Sequence, residues 1–290
     1  MAGVHIVIDS AAVIPSGALQ DYSVSIVPQK VSVGDSGFHG GTDAADDGLL
    51  DLLRHVQARP RIESAPVAEF RETFARILDW GVEIISLHAP QGSSDSVDAA
   101  REAAGSLPKG SPVSVVELPL LGPALGLAVL RAAQAGIDDH PREAILDLLQ
   151  TLARRIELRI ASADPAHAAR IGGLPIGVDD LEPESAVRPR GAGPHPIYRL
   201  RDGALALEGV ASDVGAALRQ MASSAIVSLP EGCDWHLAAC HADAEAEAAA
   251  MATYLDARRP ALEAWVAGCD PITACLLGPG AFGLAWYREG

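Results

Sequence analysis

The sequence is poor in positive charge. It contains 22 lysines and arginines against 38 aspartates and glutamates, and its formal net charge is −16. The phosphates of nucleic acid and the surface of an anionic membrane repel such a chain, so we expect neither to be the main partner. The sequence also lacks an apolar run long enough to span a membrane, and its N-terminus enters a strand without a basic leader. We therefore expect neither an integral membrane protein nor a signal peptide.

Cysteine is also scarce. There is no Cys-x-x-Cys pair, and all four cysteines lie late in the chain, at Cys233, Cys240, Cys269 and Cys275. His236 and His241 lie close to the first two, which leaves a zinc site open as one interpretation. The surrounding apolar runs are typical of strands and favour the other interpretation, in which the thiols are small buried hydrophobes. We predict no cofactor, and free thiols are typical of the reducing cytoplasm.

The order of strands and helices changes near residue 155. Up to that point, short apolar runs alternate with helical periodicity, which predicts a mostly parallel α/β sheet covered on both faces. After it, short strands, including one at 272–277, cluster around two helices, which predicts a strand-rich α+β unit. We therefore predict two domains, 1–155 and 156–290. A long surface loop is predicted at 177–196 from its proline, glycine and acidic residues.

The stretch at 84–100 combines a buried strand, a Pro-Gln-Gly-Ser-Ser turn and an Ala-rich helix. Backbone N–H groups at the start of such a helix, together with serine hydroxyls, can hold an anion or a polar head group. The alternative is that a serine of the turn or Asp95 simply caps the helix. Asp9 and Ser10 end the first strand, at the edge where α/β folds place ligands, although a turn or cap is an equal alternative there.

Six segments in the same order resemble the DegV family of fatty-acid-binding proteins. The similarity covers nearly the whole chain. Each segment is short, and it is their order that makes the resemblance specific. The segments are the Val-Ile-Asp-Ser at 7–10, the Glu-Ser-Ala-Pro at 63–66, the loop within 84–96, the helix around Gly126, the Asp-Gly hairpin at 202–203 and the Gly-Pro-Gly-Ala-Phe-Gly at 278–283.

The cysteines favour a cytoplasmic protein, and the resemblance implies a non-enzymatic acyl carrier that buries one fatty acid between two domains and presents the acyl group to a separate kinase. In the family, hydroxyls of a Thr-Ser segment and of a loop serine hold the carboxylate, and a histidine before Gly-Pro-Gly assists. His88, at the end of a strand, is a further candidate donor to the ligand, although a buried structural role is an equal alternative. The ligand-binding positions expected here are Ser94, Gly92, Ser64, Glu63, His88, Ser10, Leu276, Leu277, Gly278 and Gly280.

The chain departs from the family at several of these positions. Glu63, or Ile62 in another alignment, replaces the threonine, and Leu276 and Leu277 replace the histidine and the threonine that follows it. One hydrogen bond to a charged group contributes about 1.5–3 kcal/mol, so these losses predict a weakened carboxylate site that favours neutral lipids. The alternative function is a degenerate member that has no fatty-acid carboxylate site. Such a member acts as an interaction or regulatory subunit, or binds a neutral lipid.

Catalysis is not expected from the sequence. We find no Ser-His-Asp order typical of hydrolases, no nucleotide-binding glycine fingerprint and no paired metal carboxylates.

Overall fold

A computed structural model describes residues 3–41, 45, 47–55, 60–91, 95–163 and 193–290. The described helices are α1 (Asp47–His55), α2 (Val67–Leu78), α3 (Ser96–Gly105), α4 (Gly122–Ile137), α5 (Arg142–Arg155), α6 (Val214–Ser228), α7 (Glu245–Asp256) and α8 (Pro271–Leu277). The described strands are β1 (Val4–Ile8), β2 (Val24–Ile26), β3 (Lys30–Val33), β4 (Ser36–His39), β5 (Arg61–Glu63), β6 (Glu83–His88), β7 (Val113–Glu117), β8 (Glu157–Ala161), β9 (His195–Arg201), β10 (Ala204–Ala211), β11 (Trp235–His241), β12 (Glu263–Gly268) and β13 (Phe282–Arg288).

The first sheet has the order β2-β1-β6-β7, and all of its strands are parallel. Helices α2 and α3 cover one face and α4 covers the other, while α5 packs on α4 and on β13. Strand β1 is buried along its whole length, as a strand covered on both faces must be. The parallel α/β arrangement predicted for this part of the chain is therefore confirmed.

A small antiparallel sheet, β4-β3-β5, was not predicted. Strands β3 and β4 are joined by Gly34 and Asp35, and Gly34 has a φ of 60°. A glycine with positive φ in a two-residue loop is typical of hairpins, so the sequence did contain a hairpin pattern here. Glu63 is the last residue of β5 in this sheet, and Ser64 follows it directly.

The second sheet begins after α5 and has the order β10-β9-β8-β13-β11-β12. Its pairs are antiparallel except for β11 and β12, and α6 and α7 pack on its outer face. The predicted Asp202-Gly203 hairpin joins β9 to β10, and both residues have positive φ values. One apolar core, which contains α4, fills the space between the first and second sheets. The strand-rich second part is confirmed.

The strand predicted at 272–277 is wrong, because these residues form helix α8. Asp270 caps this helix, and its Oδ1 accepts hydrogen bonds from the backbone N–H groups of Ile272 at 2.8 Å and Thr273 at 3.3 Å. Pro271 occupies the first helical position. A short apolar run fits a strand or a helix equally well, whereas an Asp-Pro pair before it is a helix start.

Two further predictions are affected by the described structure. The predicted loop at 177–196 lies outside the described residues up to 192, but His195 and Pro196 belong to β9. All four cysteines are free, and Cys275 lies on helix α8 rather than on a strand.

Among the described residues, no cluster of three or more histidine, cysteine, aspartate or glutamate side chains could hold a metal ion. None of the described helices has the length and apolar character needed to cross a membrane.

Candidate functional site

An apolar cleft lies between the first and second sheets, at the end where α4 begins. Residues of β8 and β10, of α8, of the segment after β1 and of the start of α4 form its walls, and its free volume is about 20 Å³. A space of that size holds about one water molecule. The residues that line it are Ala11, Leu121, Gly122, Pro123, Ile160, Leu205, Ile272, Thr273, Leu276 and Leu277.

Helix α4 reaches this cleft because glycine allows it to approach the segment after β1. A Cβ atom added to Gly126 would lie 2.0 Å from the carbonyl oxygen of Val13, which no side chain can tolerate. At the start of the helix, the backbone N–H of Val13 donates to the carbonyl of Gly122 at 3.1 Å. Glycine at position 126 therefore allows α4, which contributes one wall of the cleft, to pack directly against the segment after β1.

The two leucines at the predicted histidine and threonine positions do line the cleft. Leu277 is buried and Leu276 is half-buried, and Leu276 packs in the same cluster as Ile62 of β5. Because side chains alternate along a strand, Glu63 points to the opposite side of β5 from Ile62. Glu63 is exposed, with one of its oxygens 3.8 Å from Nε of Arg61, and Ser64 is exposed as well.

The Gly-Pro-Gly turn after α8 uses its own backbone N–H groups. The N–H of Gly278 donates to the carbonyl of Ala274 at 2.9 Å, and the N–H of Gly280 donates to the carbonyl of Ala242 at 2.5 Å. Both glycines have φ values near 82°, which disfavour other residues. The turn therefore shapes the end of the cleft but offers no free glycine N–H to a head group.

Ser10 and Asp9 are buried at the end of β1. The Ser10 hydroxyl accepts a hydrogen bond from the backbone N–H of Gln29 at 3.2 Å. One oxygen of Asp9 accepts from the backbone N–H of Ala11 at 2.8 Å, and the other is 2.8 Å from Nδ1 of His88. These contacts tie the segment after β1 to the neighbouring strands, and through Ala11 they reach the wall of the cleft.

His88 completes a buried chain of polar groups. Its Nε2 lies 2.8 Å from the Ser86 hydroxyl, so Ser86, His88 and Asp9 are hydrogen-bonded in series, an arrangement that their order in the sequence did not predict. All three are at most 1% exposed, and the His88 ring contacts the edge of Phe70 on α2. The cleft lies on the opposite face of β6, toward Leu87, so this histidine does not face it.

Asp270 is a buried acidic group beside the cleft that the sequence analysis missed. It is 2% exposed, and its Oδ2 has no hydrogen-bond partner among the described residues. Burial raises the pKa of the Asp270 carboxyl from 3.8 to about 7; the nearby Thr273 hydroxyl and the N–H groups of Thr273 and Ile272 lower it, and the charge of Asp9 raises it further. The Asp-Pro pair at 270–271 was the available sequence feature, because it predicts a capped helix.

The structure describes both sides of the loop that is expected to bind a head group, up to Gln91 and from Asp95. Ser94 and Gly92 lie outside the described residues. Asp95 occupies the N-cap position of α3, but its side chain makes no capping hydrogen bond. The neighbouring Ser96 is buried, and its hydroxyl accepts from the backbone N–H of Ala65 at 3.4 Å.

A larger groove, of about 460 Å³, lies on the outer face of the second sheet beside α6. Its floor is charged: the Arg159 guanidinium bonds to Glu208 at 2.5 Å and to Glu157 at 2.8 Å, and lies over the ring of Trp286. Arg199 also bonds to Glu157, at 2.8 Å. An acyl chain would have to desolvate these ions, so the smaller apolar cleft is the better candidate for an apolar ligand.

Comparison with known sequences places these features in a wider group of proteins. A family model described as an uncharacterised protein of the DegV family matches residues 3–289. A DegV domain-containing protein of Streptomyces coelicolor is 37% identical over 133 residues, which is 45% of this chain and 46% of that protein. The matched region thus spans about half the length of that relative. A DegV domain-containing protein of Halalkalibacterium halodurans is 24% identical over the full length of both chains.

Solved structures share the fold over the whole chain. A DegV family protein from Thermus thermophilus, described by its fatty-acid binding, has a TM-score of 0.88 and 22% identity, and the match covers 99% of this chain and 100% of that one. DegV of Bacillus subtilis, described as a fatty acid binding protein, has a TM-score of 0.83 and 19% identity, with complete coverage of both chains. At these identities the likeness establishes the fold.

Proposed function

This chain belongs to the DegV family, and from that premise we propose that it binds an acyl-chain lipid, a fatty acid or a related molecule, in the apolar cleft and does not transform it. The cleft carries the proposal. Nine of its ten lining residues are apolar, with Thr273 as the exception, and they come from the second sheet, from α8, from the segment after β1 and from the start of α4. The solved relatives described as fatty-acid-binding proteins support the same assignment.

The cleft must widen for this function. Ligand sites for small molecules usually enclose about 300–1,000 Å³, whereas the free volume here is about 20 Å³. Leu205 of the second sheet and the leucines of α8 face α4 across the cleft, so an acyl chain enters when these walls separate. We propose that residues 1–155 and 156–290 act as the two domains whose relative movement opens it.

The family resemblance adds two finer parts to the proposal. For a ligand that ends in a carboxylate, the protein presents the acyl group to a separate fatty-acid kinase. The location we propose is the cytoplasm, which agrees with four free thiols, three of them buried. Incubation of the lipid-loaded protein with such a kinase and ATP, followed by mass spectrometry of the lipid, tests the kinase step, and an unmodified lipid would contradict it.

The binding proposal is tested by mass spectrometry of lipid extracted from the purified protein. We expect a stoichiometric acyl lipid in the wild type. The substitution Ala11→Phe fills the cleft and should remove the lipid, whereas Val227→Phe, at a position 86% exposed on α6, should retain it. Equal lipid content in the two variants would show that the lipid binds elsewhere.

A second function, an interaction or regulatory subunit without a ligand, is favoured by one observation. The leucines at 276 and 277 already help to close the cleft to about 20 Å³. A protein that purifies without lipid, and whose melting temperature does not change when acyl lipids are added, would support this function over lipid binding.

A further inference from the structure

The polar end of the cleft is acidic. Asp270 lies directly behind one wall, because its Oδ1 holds the N–H groups of Ile272 and Thr273, and both of those residues line the cleft. Asp9 lies behind another part of the wall, because its Oδ1 holds the N–H of Ala11. None of the residues that line the cleft is basic.

The two carboxyls differ in how many of their oxygens already accept a hydrogen bond from the protein. Both oxygens of Asp9 are used, one by Ala11 and the other by His88. The Oδ2 of Asp270 has no hydrogen-bond partner in the described part of the chain, and the residue is 2% exposed. A buried acceptor without a donor is unfavourable, and a ligand that supplied a donor would relieve this.

We propose that Asp270 selects ligands whose polar end is uncharged and donates a hydrogen bond, such as a primary fatty amide or a fatty alcohol, over ligands that end in an ionised carboxylate. This inference rests on the proposed binding of an acyl chain in the cleft. A donor that passes Thr273 when the walls separate meets Oδ2. A carboxylate at the same place is repelled by the charge of Asp270, with Asp9 nearby.

Several titratable groups of the described chain lie near Asp270: Asp9, Cys269, Cys275, and His241, whose carbonyl accepts a hydrogen bond from the N–H of Cys269. Burial raises the pKa of the Cys275 thiol to about 12, and the pKa of Cys269 is also raised, so both thiols are neutral near pH 7. Helix α1, which packs on α8, carries Arg54, but this arginine is bonded to Asp51 and Asp243. The preference should therefore follow the ionisation of Asp270.

The test compares four ligands with the same chain: dodecanamide, dodecanol, dodecanoate and methyl dodecanoate, which has no donor. Dissociation constants are measured by calorimetry on the full chain. At about pH 8.5 we expect the wild type to bind the amide about tenfold or more tightly than the carboxylate, the scale of one hydrogen bond to a charged group. The ester should bind more weakly than the amide. Asp270→Asn should shift the ratio toward dodecanoate by about tenfold.

Asp213→Asn is the matched control, because Asp213 also caps a helix, α6, but is exposed, and the Ala216 N–H that it accepts from belongs to no residue of the cleft wall; it should leave the ratio unchanged. If Asp270→Asn does not fold, the wild type alone decides: its preference for the amide should fall about tenfold between about pH 8.5 and about pH 5.5. A wild type that prefers dodecanoate at the higher pH, or a ratio that neither the substitution nor pH changes, would overturn the inference while lipid binding stands. A protein that binds none of the four would contradict the inference and the proposed function together.

Discussion

Asp270→Asn should make the protein more stable at neutral and alkaline pH. The Asp270 carboxyl is buried, and its pKa is raised from 3.8 to about 7. The folded state therefore keeps a proton that the unfolded chain releases between those two values. Because the folded state binds more protons in this range, the contribution of this carboxyl to the free energy of unfolding of the wild type falls as pH rises from about 4 to about 7 and is then constant.

The size of this effect follows from the two pKa values. A difference of one in pKa corresponds to about 1.4 kcal/mol, so the change from 3.8 to about 7 corresponds to about 4 kcal/mol. Asparagine keeps an oxygen that can accept from the N–H groups of Ile272 and Thr273, as a helix cap requires. It does not ionise, so the variant lacks this part of the pH dependence.

Urea denaturation of wild type and variant at several pH values between about 4 and about 8.5 measures the effect. The difference between the two free energies of unfolding should grow by about 4 kcal/mol in favour of the variant as pH rises. If the asparagine side chain also lowers the stability by an amount that is independent of pH, the difference changes equally at every pH and its dependence on pH stays the same. Asp213→Asn should give a nearly constant difference over this range, because the N–H of Ala216 lowers the pKa of that carboxyl from its usual value of 3.8 and its titration lies below the range. A difference that is independent of pH for Asp270→Asn would refute the reasoning.

Four further results are expected. Ser94→Ala should weaken acyl-lipid binding by about 0.5–3 kcal/mol in a calorimetric titration, and unchanged affinity in a folded variant would limit that hydroxyl to a cap or to solvent. Leu276→His combined with Leu277→Thr should shift the preference from a methyl ester toward the free acid; an unmoved acid-to-ester ratio would contradict the expected head-group position. His88→Ala should lower the free energy of unfolding by about 3–5 kcal/mol, because it leaves the Asp9 carboxyl buried without its partner, and a loss under about 1 kcal/mol would show that water replaces the ring. Gly126→Ala should destabilise the fold by more than about 1 kcal/mol, since its Cβ would meet the Val13 carbonyl at 2.0 Å, whereas Gly105→Ala, where space is open, should not.

The fold class could be predicted from the sequence because the buried positions of strands and helices appear as regular patterns of apolar residues. The apolar runs of β1 and β6 predicted parallel strands covered on both faces, and the Asp202-Gly203 pair predicted a hairpin whose two positive φ values the structure shows. The departures at Leu276 and Leu277 were also visible in the sequence. Their place at the ligand site followed from the family resemblance, whereas the helix that carries them was not predicted, because the run at 272–277 fits a strand as well as a helix.

The site itself was decided by tertiary contacts between residues far apart in the chain. Asp9 and His88 lie 79 positions apart, and nothing in their local sequence predicts a 2.8 Å contact on the face of β6 away from the cleft. Glu63 and Ile62 are neighbours in sequence, yet the pleat of β5 turns only Ile62 toward α8. Asp270 is ordinary as a helix cap; packing buries it beside Asp9 and leaves one oxygen without a partner. The charge near the cleft depends on how deeply each carboxyl is buried and on which residues from distant parts of the chain surround it. Sequence neighbours do not determine this, because the desolvation of a group depends on everything that packs around it in the folded protein.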